Sequence, residues 1–489
     1  MLFGYDQGLF GGILTNEAFL DQFNHASPTL QGQIVALYNV GCMLGCVVNM
    51  KTGDILGRKR SILLGCSIVI VGAVIQTASY GVAQMISGRV FGGIGTGILT
   101  TSIPIWQVET ASAKHRGAAI VFQLVAVIFG GALASWMNYG FTFLPGPEVG
   151  WRFPIAFQVF VAVITISLVS LLPESPRWPI QRDRTEEAAV VISRLRAKQR
   201  YDPVVLAEVS MVSEAVNAER AQQTGITFRE VFQGGSKQTL RRLLRGMGTQ
   251  FMQQTGETNV VATYMPVVLT QSFNMSARLA LVLSATVSHW LMIWAALCSL
   301  VIDSVGRRRL MLWGTFAMSI CFALIACGLA VDSAASLITA IAFIYLYYIA
   351  YGLSLLSIPF LYAAEFNSQR FQNLGPSLAT LTNWTTCYIV VSVTPPGIAS
   401  IGWKYYMIYA ITNAAFVPLV YFFYPETARL SLEEINDVIA PKHGGDHSIS
   451  YKQATKDAVA ARVSPEEEAV KFKLDGDVDM IEFAPEEKS

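Results

Sequence analysis

The sequence predicts an all-α membrane protein made of two similar halves, and three observations support this prediction. The chain of 489 residues is 53% hydrophobic and only 14% charged, with a mean hydropathy of +0.44, unlike an ordinary soluble enzyme. Its apolar residues fall in long runs, each close to the ~20 residues that a helix needs to cross a bilayer. A charged motif between two such runs occurs once in each half, as expected of a duplicated fold.

Eleven apolar runs are long enough to span a bilayer as helices. They lie at 31–50, 61–80, 85–107, 118–138, 152–172, 247–270, 279–302, 310–330, 337–362, 372–393 and 403–424. Residues 1–14 look like the second half of a twelfth run, so we expect a truncated first helix and six helices in each half. The expected units are an N-terminal bundle at 1–172, a cytoplasmic helical linker at 173–246, a C-terminal bundle at 247–424 and a largely disordered cytoplasmic tail at 425–489.

The distribution of Lys and Arg predicts the orientation. These residues are frequent in the connections at 51–60, 114–116, 173–246 and 303–309, and absent from those at 15–30, 139–150, 331–336 and 394–402. Because cytoplasmic loops of membrane proteins carry the excess of positive charge, we expect the first set of connections and both termini on the cytoplasmic side.

Charge and cysteine usage exclude several classes of function. The net charge of +1 does not suit a nucleic-acid binder, which usually presents a basic face. The seven cysteines show no paired spacing typical of a metal site or a disulfide framework. The sequence also lacks a nucleophile and base pattern or a phosphate-binding loop, so we expect neither an enzyme nor a bound cofactor.

The charged motif of the first half is Gly-Asp-Ile-Leu-Gly-Arg-Lys-Arg at 53–60, and Asp-Ser-Val-Gly-Arg-Arg-Arg repeats it at 303–309. Asp54 is expected to cap a helix N-terminus, and the basic residues lie where carboxylates on neighbouring helix ends can reach them. We predict cytoplasmic ion pairs that part when the protein opens inward, formed by Asp54, Arg58, Lys59, Glu109, Arg116 and Glu174 and by Asp303, Arg307, Arg308, Glu365, Arg370 and Glu426. The alternative is that the basic residues only set the topology, although a topogenic signal does not require matched acids.

Six motifs together resemble the sugar porter family of the major facilitator superfamily, and its fungal members most of all. They are GD-x-x-GRKR at 53–60, P-x-x-x-x-E with RG at 104–117, PESPRW at 173–178, QQ-x-G-x-x-N at 253–259, D-x-x-GRRR at 303–309 and PET at 425–427. The resemblance runs from Phe3 to about Arg429. It implies a twelve-helix major facilitator fold of two six-helix bundles with short cytoplasmic helices, and transport of a sugar by alternating access. The implied partners of this expected plasma-membrane monomer are a sugar, a proton and the lipid bilayer, and not nucleic acid.

Asp6 is an acid within an apolar run, where insertion of a charge costs about 2.5–3.5 kcal/mol. We expect it to pair with Arg89, which begins a glycine-rich helix. In similar sugar and proton symporters an acid at the position of Asp6 takes the proton and an arginine at that of Arg89 attends it, whereas many facilitators carry an amide. The resemblance therefore predicts proton-coupled import. A static ion pair in a passive facilitator is the alternative.

Sugar hydroxyls both donate and accept hydrogen bonds, so a sugar site favours side-chain amides together with an aromatic face. The resemblance places this site at Gln123, Gln253, Gln254, Asn259, Phe360, Asn383 and Trp384. Gln254 and Asn259 are about 140° apart on a straight helix, so we expect Gly256 to interrupt that helix, as at other transporter sites. The alternative for each amide is a structural bond to a neighbouring helix.

Some positions depart from the family pattern. Phe360 replaces a common tryptophan and loses its N–H donor, and the nearest polar residue to an expected eighth-helix asparagine is His289, for which we favour a structural role. Thr263-Tyr264 stands where many members have two tyrosines, so Tyr264 is the expected outer gate. These departures leave a polyol or a disaccharide open as the substrate, and a non-transporting sugar sensor is a further alternative.

Overall fold

The computed structural model describes residues 1–110, 116–144, 148–223, 239–256, 263–331, 333–366 and 374–428. These residues form eighteen helices and no strand, so the all-α prediction is confirmed. The first ten are α1 (Leu2–Ile13), α2 (Glu17–Gln22), α3 (Pro28–Leu56), α4 (Arg58–Thr77), α5 (Val82–Thr110), α6 (Arg116–Phe141), α7 (Val149–Leu171), α8 (Arg177–Ile180), α9 (Thr185–Arg196) and α10 (Pro203–Gln223). The others are α11 (Thr239–Thr255), α12 (Met265–Gln271), α13 (Ala277–Val305), α14 (Arg307–Val331), α15 (Ala334–Leu353), α16 (Ile358–Glu365), α17 (Leu374–Ile401) and α18 (Lys404–Phe423).

Eight helical segments of the described chain are long and apolar enough to cross a membrane. They are Pro28–Leu56, Arg58–Thr77, Phe122–Phe141, Val149–Leu171, Ala277–Ile302, Arg307–Val331, Ala334–Ala363 and Lys404–Phe423. Each coincides with an apolar run predicted from the sequence. The predicted half run at 1–14 corresponds to α1, which has 12 residues. The runs at 85–107 and 372–393 correspond to α5 with 29 residues and α17 with 28. The run at 247–270 corresponds to α11 together with α12.

The repeated charged motif forms the same tight connection twice. Gly57 joins α3 to α4 with a φ of +87°, and Gly306 joins α13 to α14 with a φ of +99°. This left-handed region favours glycine because a Cβ atom would be strained there. The motif therefore repeats because one backbone turn repeats.

Glycines let the helices of the first half approach one another closely. A Cβ atom at Gly93 of α5 would overlap the carbonyl oxygen of Tyr38 on α3, and one at Gly4 of α1 would overlap that of Val127 on α6. Only a residue without a side chain fits such a contact, as at other helix interfaces in membranes.

The helices pack within each half, and two pairs of helices make most of the contacts between the halves. Within the first half α5 packs on α3 and α4, and α1 packs on α6; within the second half α14 packs on α15 and α18, and α11 packs on α17. Between the halves, α3 packs on α17 and α6 packs on α13. Helix α1 also touches α12 of the second half, so side chains from both halves meet along α1, α3 and α6 on one side and α12, α13 and α17 on the other.

Two predicted runs correspond to two described helices each. The run 247–270 contains α11, which ends at Thr255 next to Gly256, and α12, as expected from that glycine. The run 337–362 lies within the single apolar segment Ala334–Ala363, inside which α15 ends at Leu353 and α16 begins at Ile358. Pro359 in the first turn of α16 explains the interruption, since proline cannot donate a helical hydrogen bond and disfavours helical backbone before it.

We expect Gly93→Ala to destabilise the bundle, because the added methyl group would displace the backbone of Tyr38. Overpacking of this kind costs about 1–3 kcal/mol. Thermal unfolding of the purified protein, followed by fluorescence-detected size exclusion, measures the loss. The matched control is Gly140→Ala in α6, where nothing lies within 4 Å of the new Cβ atom; equal melting of the two variants would contradict the close packing of α3 on α5.

Candidate functional site

Asp6 and Arg89 form a buried ion pair between α1 and α5. Each residue is 2% exposed, and Nη1 of Arg89 lies 2.8 Å from both carboxylate oxygens of Asp6. Removal of two charges from water is costly unless they are paired and hydrogen-bonded. The partner predicted from the sequence is thus the partner in the structure.

Arg89 is also held by α3, independently of Asp6. Its Nε and Nη2 atoms donate to the carbonyl oxygens of Ile34 and Val35, both at 3.2 Å. The guanidinium carbon lies 4.1 Å from the ring centre of Phe10 and 4.4 Å from that of Tyr38, close enough for cation–π attraction. Loss of the charge on Asp6 would therefore leave Arg89 attached to α3.

A buried amide on α7 completes the surroundings of Asp6. The side chain of Gln158 is buried and lies beside the Asp6 carboxylate. Our sequence analysis missed this residue. Its signal was present, because Gln158 is a polar residue within a strongly apolar run, and polar residues inside membrane helices are often functional.

A small cavity beside the ion pair is lined by both halves of the chain. It has room for about one water molecule. Its lining comprises Asp6, Gln7, Val35, Tyr38, Asn39 and Arg89 from the first half, and Thr263, Cys387 and Val391 from the second. The thiol of Cys387 donates to Oδ1 of Asn39 across this boundary at 3.4 Å. The ion pair therefore lies where the halves meet.

Three amides of the second half form a hydrogen-bonded cluster between α11 and α17. Nδ2 of Asn383 donates to Oε1 of Gln250 at 2.7 Å and to Oε1 of Gln253 at 2.9 Å. We define these three residues as the amide cluster. Sequence analysis missed Gln250, although it precedes Gln253 by three positions and so shares a helix face with it.

The other predicted sugar-site residues lie in different surroundings. Gln254 is buried on α11, and Trp384 packs edge-on against Phe3 of α1, with ring centres 5.3 Å apart. Phe360 is 46% exposed on α16 and Gln123 is partly buried on α6. In the described part of the chain, no hydrogen bond or ring contact joins Phe360 or Gln123 to the amide cluster, and Asn259 lies outside the described residues.

At the end of the bundle opposite the charged motifs, the two halves touch. A Cβ atom at Gly11 of α1 would overlap the carbonyl oxygen of Thr263, directly before α12. The hydroxyl of Tyr388 on α17 donates to Gln33 of α3 at 3.3 Å. The hydroxyl of Tyr264, which is fully buried, donates to the carbonyl oxygen of Val391 at 3.0 Å.

His289 makes structural contacts on α13. Its Nδ1 atom lies 2.8 Å from the carbonyl oxygen of Ala285, and its ring meets Trp136 of α6 with ring centres 6.4 Å apart. These contacts agree with the structural role favoured from the sequence.

In the first charged motif a distant carboxylate holds the start of α4. Oε1 of Glu174 accepts from the backbone N–H groups of Arg58 and Lys59, both at 3.0 Å, where the helix dipole favours negative charge. The expectation that Asp54 caps this helix is wrong, because Asp54 lies in the last turn of α3 and instead pairs with the Arg58 side chain at 2.9 Å. Arg58 also reaches Glu109 at the end of α5, at 3.4 Å.

The second charged motif repeats this arrangement. Glu426 accepts from the N–H groups of Arg307 at 2.8 Å and Arg308 at 3.2 Å. The contacts of Glu174 and Glu426 thus lie within one half each. Arg370 lies outside the described residues, as do the side chains of Arg116, Asp303 and Glu365, so their predicted ion pairs stay predictions.

The predicted short helices of the linker are present as α8, α9 and α10. The guanidinium group of Arg196 on α9 contacts both carboxylate oxygens of Glu208 on α10, at 2.9 and 2.6 Å. The N–H of Val204 donates to Asp202 at the start of α10 and holds the pKa of that carboxyl below its ordinary value. Trp178 of α8 donates to the carbonyl oxygen of Asp54 at 3.1 Å and joins the linker to the first charged motif.

We expect Glu174→Ala to lower the free energy of unfolding by about 0.5–2 kcal/mol, the usual loss when a helix N-terminus loses its capping side chain. Glu426→Ala should have an effect of similar size because its contacts are equivalent. Thermal unfolding of the purified variants measures both. The control is Glu187→Ala, which removes an exposed acid paired with Arg184; a loss as large as that of Glu174→Ala would refute the capping role.

Comparison with known proteins identifies the family. The model of the family described as "Sugar (and other) transporter" matches residues 1–439. The MFS-type transporter oryC of Aspergillus oryzae is 43% identical over 447 residues, which cover 89% of this chain and 82% of that protein. Sugar transporter STL1 of Saccharomyces cerevisiae is 33% identical over 453 residues, which cover 90% of this chain and 79% of that protein.

The fold agrees with that of a solved transporter. The inward-open structure of the xylose transporter XylE from E. coli superposes with a TM-score of 0.74 at 21% identity, covering 89% of this chain and 96% of that one. At this level of identity the likeness concerns the fold. Together with the family match, it makes this chain a multi-pass membrane protein of the sugar porter family, within the major facilitator superfamily, whose members are transporters and not enzymes.

Proposed function

We propose that this protein imports a sugar or a polyol across the plasma membrane together with a proton, by alternating access. The observation that carries the proposal is the buried Asp6 and Arg89 pair at the boundary of the two halves. The family and the similarity to a protein named sugar transporter STL1 support a sugar-like substrate. In this proposal residues 1–172 and 247–424 are the moving bundles, and the linker, the tail and both termini are cytoplasmic.

The proposed proton site is the Asp6 carboxylate. When Asp6 is ionised, Arg89 attracts it and fixes α1 against α5. Protonation removes this attraction, while the carbonyl groups of Ile34 and Val35 keep Arg89 on α3. The proton thus releases α1 and not Arg89. One proton that moves down 100 mV supplies about 2.3 kcal/mol, enough for roughly 50-fold accumulation of the substrate.

The proposed substrate site is the amide cluster with the neighbouring predicted residues. Side-chain amides both donate and accept hydrogen bonds, as sugar hydroxyls do. Asn383, Gln250 and Gln253 satisfy one another in this structure, so a substrate would exchange these bonds for its own. Gln254 and Trp384 belong to the proposed site, and Gln123, Phe360 and Asn259 remain predicted members.

We further propose that this structure is a state closed toward the outside. If the charged motifs are cytoplasmic, the contacts of Gly11 with Thr263 and of Tyr388 with Gln33 close the outer end. Tyr264, the predicted outer gate, is buried there against α17.

A passive facilitator is the second candidate function. It is favoured by the full set of contacts around Arg89, which suits a static ion pair as well as a proton site. The side chain beside Asp6 on α7 is the amide of Gln158, so this neighbour supplies no second carboxylate that could accept a proton. In this case Asp6 would only hold α1 in place.

We expect Asp6→Asn to abolish substrate-driven proton uptake, because the amide does not take up a proton as the carboxylate does. The measurement is the external pH of lightly buffered, transporter-deficient cells that express the protein, after addition of glucose, fructose, xylose, glycerol, maltose or lactose in turn. The native chain should alkalinise the medium with at least one of these compounds. The control variant is Asp21→Asn, which changes an exposed acid on α2.

The outcomes separate the two candidates. Alkalinisation that survives in Asp6→Asn would remove Asp6 from the coupling step. Saturable uptake of labelled substrate by the native chain without a pH change would instead identify a facilitator.

Asn383→Ala should raise the KM of the transported compound by about 2- to 12-fold, the factor for loss of one hydrogen bond. Its control is Asn49→Ala, which removes a buried amide that contacts Thr101 and Ser102 within the first half. Initial rates of labelled uptake give both values. An unchanged KM in Asn383→Ala, or an equal rise in Asn49→Ala, would exclude Asn383 from the substrate site.

A further inference from the structure

The carbonyl group of Gly256, directly after α11, accepts hydrogen bonds from side chains of two other helices. The N–H of Gly256 donates to the carbonyl oxygen of Met252 at 2.8 Å. The carbonyl oxygen of Gly256 accepts from the hydroxyl of Tyr347 at 3.1 Å and from Nδ2 of Asn413 at 3.5 Å. Both side chains are fully buried, so these bonds form away from water.

At the interruption between α15 and α16 the roles are reversed, because α11 supplies the donor and the turn after α15 supplies the carbonyl groups. The carbonyl oxygens of Leu355 and Leu356 lie in that turn and accept from Nε2 of Gln253, at 2.8 and 3.0 Å. Gln253 belongs to α11, and Tyr347 belongs to α15. Each interrupted segment therefore supplies a side-chain donor to a carbonyl group at the interruption of the other.

This reciprocity couples the two interruptions. A buried carbonyl group that loses its donor is costly, so movement at one interruption removes hydrogen bonds from the other. Gln253 also accepts from Asn383 in the amide cluster. A ligand hydroxyl that takes the amide of Gln253 would compete with the carbonyl groups of Leu355 and Leu356 for it.

We propose that Tyr347 is a positioning residue that joins the interruptions after α11 and after α15 into one hinge, which substrate binding at Gln253 releases. The hinge rests on the hydrogen bonds above, and its release by substrate rests on the proposed function. Tyr347 acts through the Gly256 carbonyl group and does not touch the substrate.

The hydroxyl of Tyr347 can be removed without loss of its ring contacts. The ring meets Phe322 with centres 4.9 Å apart and stacks on Tyr351 at an interplanar angle of 10°. Tyr347→Phe keeps this packing and deletes the bond to Gly256. The neighbouring Tyr348 is also buried and also contacts the Tyr347 ring, so Tyr348→Phe is a matched control.

Hydrogen–deuterium exchange of the purified full-length protein without substrate tests the hinge. Tyr347→Phe leaves both bonds of Gln253 to the second interruption in place. If the two interruptions are one unit, amides at 252–256 and also at 354–358 should exchange about fivefold faster, the factor for loss of one hydrogen bond. Native exchange at 354–358, or an equal increase in Tyr348→Phe, would overturn the hinge.

Transport kinetics test its release. Without the Tyr347 hydroxyl, substrate binding at Gln253 would no longer move both interruptions together. With a substrate identified by uptake, Tyr347→Phe should therefore lower the turnover per folded transporter about fivefold. The Kd of the substrate should change by less than twofold, because Tyr347 does not touch the substrate. A merely structural tyrosine would reduce the amount of folded protein and leave the turnover per folded molecule unchanged, and this result would overturn the positioning role. If the native chain transports no compound, the proposed function fails, whereas the exchange experiment still decides whether the hinge exists.

Discussion

The ion pair of Asp6 and Arg89 determines how the first half is assembled. Two opposite charges in a membrane bundle are tolerated only when they are paired and their remaining groups are hydrogen-bonded. Arg89 meets this requirement by contacts with α1 and α3 from its own place on α5. Close packing around the pair needs residues without side chains, since Gly93 lets α5 approach α3 and Gly4 lets α1 approach α6. The first half therefore depends both on the paired charges and on the glycines that let its helices pack closely around them.

The positions of the helices could be predicted from the sequence because bilayer thickness fixes the length of an apolar run. The geometry of the charged motifs could not. The acid that holds the start of α4 is Glu174, which is 115 residues from Lys59, and nearby Asp54 looked like the natural cap. Repetition of the acids indicated that partners exist, but only the fold decides which N–H groups each carboxylate reaches.

The proposed substrate site shows the same limit of sequence-based prediction. The sequence indicated Gln253 and Asn383 by their residue type, and the fold brings them together. It did not indicate that Gln253 would bind the carbonyl groups of an interrupted helix, since that interruption is set by Pro359 about a hundred positions away. Tyr347 stands among several tyrosines of one apolar run, and periodicity does not indicate which hydroxyl meets the carbonyl group of Gly256.

If Asp6 takes up a proton, as we propose, these contacts give a route by which its protonation affects the second half. Arg89 is attached to α3, whereas Asp6 is carried by α1, so a change in the charge of Asp6 alters the hold on α1 first. The same helix carries Gly11, which packs against the backbone of Thr263 directly before α12. Release of α1 would therefore loosen the start of α12, on the side of the molecule where Tyr264 is anchored to α17. The proposed proton site and the proposed outer contact thus share one short helix, and no long chain of side chains is needed to couple them.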